Sequence, residues 1–219
     1  MATRARRIGR SRARRQSELQ VLLLLAFVAA VVATSLAIKN GWHEPDQSAA
    51  RRLSMEEARE ANASIPFVAG QGSGKSFRFH GSPAAREQAV QCLATAAVYE
   101  AGDDERGQKA VMQVVLNRLA RPGYPKTVCG VVYQGSSRKT GCQFSFSCDG
   151  SQIRRPEGAG WSTARSAALR ALAGHVFTPV GAATHYHADW VVPYWIGSLD
   201  KIAQVHSHIF YRAHRPARS

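Results

Sequence analysis

The sequence predicts an α+β fold: a helical domain with a small β element, preceded by one N-terminal transmembrane helix. Three observations carry this. Leu19 to Ile38 is an uncharged apolar run. Apolar residues recur at helical spacing between residues 83 and 173. Aromatic and β-branched residues then concentrate after residue 182, and helices followed by a small β element make an α+β arrangement. The chain has 219 residues, 45% of them hydrophobic, enough for one globular domain with accessory segments.

The N-terminal helix follows from length and charge. Twenty residues, LQVLLLLAFVAAVVATSLAI, are long enough at helical rise to span a hydrocarbon core, and the polar Gln20 lies near the edge. Residues 1–18 hold seven arginines against Glu18, so +6 of the net charge of +14 precedes the run and +8 follows it. A basic flank on the N-terminal side keeps residues 1–18 in the cytoplasm and sends everything after Lys39 across the membrane. A cleaved signal peptide with Ser35-Leu36-Ala37 as its exit site is the alternative; the long run and long arm favour an uncleaved single-pass anchor. The basic remainder suits nucleic acid, anionic lipid or an anionic glycan. No zinc-finger pattern or RNA-recognition signature accompanies it, so nucleic acid is not a predicted partner.

Residues 39–81 read as a linker. Within it Ser54 and Glu57 form a capping-box pattern for a short exposed helix over Ser54–Asn62, and Gly70–Gly74 reads as flexible. The globular domain is predicted over 82–215. Ser82 caps a helix with Pro83 at its first position, running to about Ala101. Gly102–Glu105 is a turn. A second helix covers about Arg106–Ala120, with Ala110, Val111, Val114, Val115 and Leu119 on one face, and Arg121-Pro122-Gly123 stops it. Pro125 opens a short third helix through Val132. Gln143–Ser147 alternates polar and aromatic residues, as a strand or hairpin edge does. Ser162–Ala173 is a fourth helix with Gly174 as its cap. Ala182–Trp195 and Ile202–Tyr211 read as extended segments, restricted at Pro193.

Glu100 is the candidate catalytic residue. Ala97, Ala96, Leu93, Cys92 and Ala89 precede it on one helix face, so it falls where the core-facing stripe runs out. Poor solvation and the negative end of the helix dipole both favour its neutral form. A carboxylic acid protonated near neutral pH is what a glycosidase requires as general acid. A rival lies in His185-Tyr186-His187 and His206-Ser207-His208. On strands, each pair would present two imidazoles to one side, as in a zinc-dependent amidase or peptidase, and Asp189 could complete such a set. The four cysteines all follow the apolar run, in a compartment that permits disulfides, and allow three connectivities. Cys142 and Cys148 flank a predicted turn and could close on each other. Cys92, on an apolar face, reads as core. Trp190 and Trp195 are candidate sugar-stacking residues, and Gln143 and Ser145, alternating with Phe144 and Phe146, could line one wall of a groove.

The stretch from Cys92 to Asp149 resembles the catalytic domain of the SleB-like, spore-cortex-lytic type of cell wall hydrolases. The matching pieces are Glu100-Ala101, Gly107-Gln108, VVLNR at Val114–Arg118, YPKTVCGVVYQ at Tyr124–Gln134 and CQFSF at Cys142–Phe146. THYHADW (Thr184–Trp190) and SHIFYR (Ser207–Arg212) resemble the family's C-terminal half, so the likeness spans roughly residues 88–212. The resemblance implies a lysozyme-like fold that cleaves peptidoglycan glycan strands, as a muramidase or lytic transglycosylase, with Glu100 as the single general acid and base. It implies substrate contacts from Gln143, Phe144, Ser145, His185, Tyr186, His187 and Trp190, and no metal or organic cofactor. With the anchor, it implies a catalytic domain in the periplasm, held at the inner membrane. A non-catalytic wall-binding module is a further alternative. The family pattern continues Glu-Ala-Arg-Gly-Glu, whereas here Gly102-Asp103-Asp104-Glu105 follows Ala101 in a shorter, more acidic turn. These three acids offer a second carboxylate or, in the preferred reading, a solvated turn.

Overall fold

The computed structural model describes residues 53–70, 72–138, 141–151 and 157–214. The cytoplasmic arm and anchor expected over residues 1–38 lie outside the described residues. Among those described, no helix is long and apolar enough to cross a membrane.

Five helices and one sheet make up the described chain: α1 (Met55–Ser64), α2 (Pro83–Ala101), α3 (Glu105–Leu119), α4 (Val128–Val132), α5 (Ala159–Leu172), β1 (His185–Ala188), β2 (Leu199–Val205) and β3 (His208–Ala213). The sheet is antiparallel in the order β1-β3-β2. This is the expected α+β arrangement. As the cap, the Ser82 hydroxyl oxygen accepts from Ala85 N–H at 3.2 Å, with Pro83 at the first turn. Ala182–Trp195 contributes only the four residues of β1, and the last segment is a hairpin turning at His206-Ser207.

Helix α3 is central. One side, with Val111, Met112, Val115, Leu116 and Leu119, enters a core shared with α2, α4 and α5. Ala110 and Val114 enter a second core with Val180, Ile202, Ala203, Val205 and Phe210. The helix is therefore buried on more than the one face its apolar spacing indicates. Gln108, Gln113, Asn117 and Arg118 are all 2% exposed or less. They tolerate burial because they bond to backbone: Asn117 Nδ2 donates to Gly181 O at 2.9 Å and Ala183 O at 2.8 Å, and Gln113 Nε2 to Lys75 O at 3.0 Å.

Three expectations are corrected. Gln143–Ser147 is not a strand edge but a 3-10 turn at Ser145–Ser147, with Phe144 and Phe146 both in the core. The third helix begins after Thr127, whose hydroxyl accepts from Gly130 N–H, and not at Pro125. The segment read as linker is folded onto the domain, and the compact unit begins at Leu53. The capping box of α1 is present, but the helix is docked: Asn62 is 1% exposed, and Lys201 Nζ donates to Asn62 O at 2.7 Å and Ile65 O at 2.9 Å. Gly74 is closely packed, since a Cβ there would come within 2.8 Å of Val176. Phe77 and Phe79 pack on the core, and Phe79 N–H bonds to Leu172 O at 2.9 Å. The backbone N–H groups of Val68 and Phe79 bond to Lys201 O and Leu172 O, more than ninety positions later, which local composition does not encode.

Two disulfides link the described cysteines. Cys142–Cys148 closes the short loop, and Cys92–Cys129 ties α2 to α4 across a Cα–Cα distance of 5.3 Å, so Cys92 is both core and cross-link.

A chain beginning at Ser82 should be less stable than one beginning at Leu53 by at least about 3 kcal/mol, since it loses the packing of Phe77 and Phe79 and the partners of Lys201. Urea unfolding of the two chains measures this, and equal midpoints would mean that residues 53–81 contribute nothing.

Candidate active site

Glu100 stands in the last turn of α2. Gly102 ends that helix at φ 54°, a conformation that costs glycine little, and its N–H closes on Val98 O at 2.8 Å. The chain reverses, and Asp104 caps α3. This leaves the Glu100 side chain facing β1 and β3 across a cleft of about 230 Å³. Glu100, Arg118, Gln143, Phe144, Ser145, Tyr186, His187, Ala188 and His208 line it, and Glu100 is the one carboxylate among them.

Tyr186, the second residue of β1, donates its hydroxyl to Glu100 Oε2 at 2.9 Å. Burial pushes the Glu100 carboxyl above its ordinary range; the Tyr186 hydrogen bond and the Arg118 charge oppose this, and the Asp149 charge assists it, with burial the largest influence. Burial and the facing carboxylate push the Tyr186 phenol far up, so it remains a donor.

Arg118, 2% exposed, organises one wall. Its Nε donates to Thr184 O at 2.7 Å, just before β1. With the Gln143 amide turned so that its oxygen faces the guanidinium, that oxygen accepts from both terminal nitrogens at 3.1 and 3.2 Å. The guanidinium lies 5.7 Å from the ring centres of Tyr124 and Phe144.

The histidines separate by strand alternation and pairing. His187 is 7% exposed; its Nδ1 donates to Ala188 O and its Nε2 shares a hydrogen bond with Tyr211 Oη, both at 2.9 Å. Burial lowers its pKa, as it does that of His208. His208 reaches the cleft because it pairs with Ala188 across the sheet, and its ring meets Tyr186 edge-on at 5.4 Å. His185 bonds to Thr184 Oγ1 and packs on Trp195, and burial with the charges of Arg118 and Arg121 lowers its pKa to about 4. His206 sits in the hairpin turn, paired with Asp104. Among the described residues no group of three or more His, Cys, Asp or Glu side chains is placed to hold a metal ion.

Of the residues expected to contact substrate, the structure brings Gln143, Phe144, Ser145, Tyr186 and His187 to the cleft with Glu100. Phe144 is 2% exposed and serves mainly as core beneath Gln143. His185 and Trp190 are not among the lining residues. Trp190 is in the loop after β1, 39% exposed. Sequence reasoning assigned no site role to Arg118, although it closes the VVLNR motif. His208 entered only the metal alternative, because its place depends on strand register. Asp103, Asp104 and Glu105 do not line the cleft; Asp104 accepts from Arg106 N–H at 3.0 Å as the α3 cap, and Glu105 pairs with Lys109 at 2.6 Å.

Comparison with known proteins agrees with this frame. A family model described as Cell Wall Hydrolase matches residues 102–211, half of the chain, beginning just after Glu100. The chain belongs to this family of cell wall hydrolases. It is similar to spore cortex-lytic enzymes: 37% identical over 123 residues to that of Halalkalibacterium halodurans (55% of this chain, 34% of the relative). That of Bacillus cereus is 32% identical over 123 residues (55% of this chain, 43% of the relative), and that of Bacillus subtilis is also 32% identical over 123 residues (55% and 36%). The chain thus spans between a third and a half of the length of these relatives. No solved structure matches it significantly.

Because the Tyr186 hydrogen bond stabilises the carboxylate, Tyr186→Phe should move the Glu100 pKa further up. A ¹³C NMR titration of the Glu100 carboxyl in both proteins tests this; a downward move would contradict the balance described above.

Proposed function

We propose that the domain cleaves the glycan strands of peptidoglycan, with Glu100 as general acid on the glycosidic oxygen and then as general base. The observation that carries this is a single, partly buried carboxyl, pushed above its ordinary range by burial and fixed at one oxygen by Tyr186, in the cleft of a cell wall hydrolase. Once the proton is given up, the Tyr186 hydrogen bond and the Arg118 charge stabilise the carboxylate. The neutral imidazoles of His187 and His208 can accept or donate hydrogen bonds to sugar hydroxyl and acetamido groups without adding positive charge near an oxocarbenium-like transition state.

No second carboxylate lines the cleft among the described residues, which favours the route whose nucleophile is the substrate's own 6-hydroxyl. Glu100 takes that hydroxyl's proton, and the sugar closes to an anhydro end. Asp149, whose charge is felt at Glu100, supports a second reading in which a water is activated and the product is a reducing end. The apolar run at residues 19–38 and the basic arm before it support an inner-membrane anchor with the domain in the periplasm. Protease added to spheroplasts should then degrade the domain; protection would place it in the cytoplasm.

Glu100→Gln should lower strand cleavage by roughly 10²–10⁴-fold. Wild-type activity should fall as pH rises through the elevated Glu100 pKa, because the acid must be protonated. Mass spectrometry of soluble fragments reads the product: anhydromuramic ends from wild type alone fit the intramolecular route, and reducing ends fit water. Equal fragment release by Glu100→Gln, or release of peptides in place of glycan, would defeat the proposal.

A further inference from the structure

A cleft of about 230 Å³ is smaller than the roughly 300–1,000 Å³ of sites that enclose a drug-sized ligand. A glycan polymer bound there must continue over the neighbouring surface. One edge of the cleft is Ala188, the last residue of β1. Directly after it, Val191 N–H turns back to Ala188 O at 2.9 Å, and Trp190, at most about 7 Å along the chain from Ala188 by Cα spacing, follows the same turn. This loop exposes four large apolar residues out of five: Trp190 at 39%, Val191 at 45%, Val192 at 37% and Tyr194 at 100%. Tyr194 has no packing to perform, and a cluster of this kind marks an interaction surface.

The loop backbone is nonetheless held firmly, and α1 holds it. Asn62, 1% exposed, donates its amide to Asp189 O at 2.6 Å and to Val191 O at 3.0 Å. Arg59 Nε donates to Asp189 Oδ1 at 3.2 Å, and its guanidinium lies 5.9 Å from the Trp190 ring centre. From the other side, Asp189 N–H bonds to Ser207 O at 2.7 Å. The strut is itself bolted down through Lys201. Ala58 and Asn62 are the only buried residues of α1, so the helix adds little to either core. Its polar contacts instead converge on the loop and on Lys201. It also lies outside the span that the family model matches.

We infer that the loop from Asp189 to Trp195 is a second glycan-contacting surface continuing the cleft, and that Arg59 and Asn62 of α1 are positioning residues for it. Its occupant is the same glycan strand, beyond the sugars at Glu100, with the faces of Trp190 and Tyr194 against the C–H faces of the rings. Holding the backbone while leaving the rings exposed reduces the ordering cost of binding. This inference rests on the glycan-strand reading of the Glu100 cleft.

The test uses the full chain on peptide-free glycan strands and on short oligomers of the same disaccharide. Trp190→Ala and Tyr194→Ala should raise KM on long strands roughly three- to tenfold while kcat changes less than about twofold, and should leave the KM for short oligomers unchanged. Asn62→Ala should give the same split, and its effect should be less than additive with Trp190→Ala, because it acts through that loop. Tyr194 is fully exposed, so its variant will fold even if Asn62→Ala does not. Strand affinity is read independently by titrating uncleaved strands into Glu100→Gln, with and without Tyr194→Ala. A weaker affinity supports the surface even if Glu100 proves not to be the acid. Unchanged affinity overturns it, as does an equal KM effect on long and short substrates. Loss of binding to anionic vesicles with no change in strand affinity would assign the loop to a membrane surface and also overturn it.

Discussion

Two adjacent side chains of α3, Asn117 and Arg118, hold the site together. Both are 2% exposed, and neither finds its principal partners on its own helix. Asn117 donates to the carbonyls of Gly181 and Ala183 and accepts from Lys75 N–H at 2.8 Å. Arg118 takes the next carbonyl partner, Thr184, and reaches across to Gln143. The approach to β1 is therefore fixed by buried donors before the strand begins. A buried group stripped of such partners costs about 1–3 kcal/mol, more when charged, so the arrangement persists only as a unit. The same guanidinium that places β1 also lies 5.7 Å from the ring centres of both Tyr124 and Phe144, which links the loop wall of the cleft to the sheet wall.

That anchoring decides the electrostatics at Glu100. With β1 fixed at Thr184, Tyr186 arrives two residues later with its hydroxyl on the carboxyl. Tyr186 packs against both hydrophobic cores, so the junction between helices and sheet is where the carboxyl is desolvated. Desolvation prevails over one neutral hydrogen bond and one cation, and the carboxyl is pushed above its ordinary range. The opposing influences gain value when the proton leaves, because both favour the anion. A carboxyl that was only buried would resist ionisation throughout, and one that was only paired would already be ionised. Here the two influences are combined in the same few atoms.

How much of this the sequence made legible follows from the range of the interactions. The caps at Ser54 and Ser82, the stop after Ala101 and the core stripe of α2 are local, and local patterns revealed them. Glu100 was visible because its placement is a matter of helical phase. The short Cys142–Cys148 loop was suggested by nearness in sequence, whereas Cys129 gave no local sign of its partner. Gln143–Ser147 misled because alternation of polar and aromatic residues was read as a strand, yet both phenylalanines turn into the core from a 3-10 turn. Residues 53–81 misled because their partners, Leu172, Lys201 and Asp189, lie far along the chain. Arg118 and His208 are set by tertiary contacts and strand register, and no periodicity in the sequence marks either.

The short acidic turn between α2 and α3 bears on the chemistry. Three carboxylates close to Glu100 in sequence could have supplied a second acid or base. Each is occupied elsewhere by the demands of a tight reversal. Asp104 is committed as the α3 cap, and its other oxygen meets His206, which turns the two-residue hairpin at a φ of 49°. Glu105 is drawn to Lys109 one turn along the helix. Asp103 closes against Gly160, where any Cβ would collide with its carboxylate. Shortening the turn therefore spends its acids on structure. It joins α2 to α3 with little slack and leaves Glu100 as the lone carboxylate lining the cleft among the described residues.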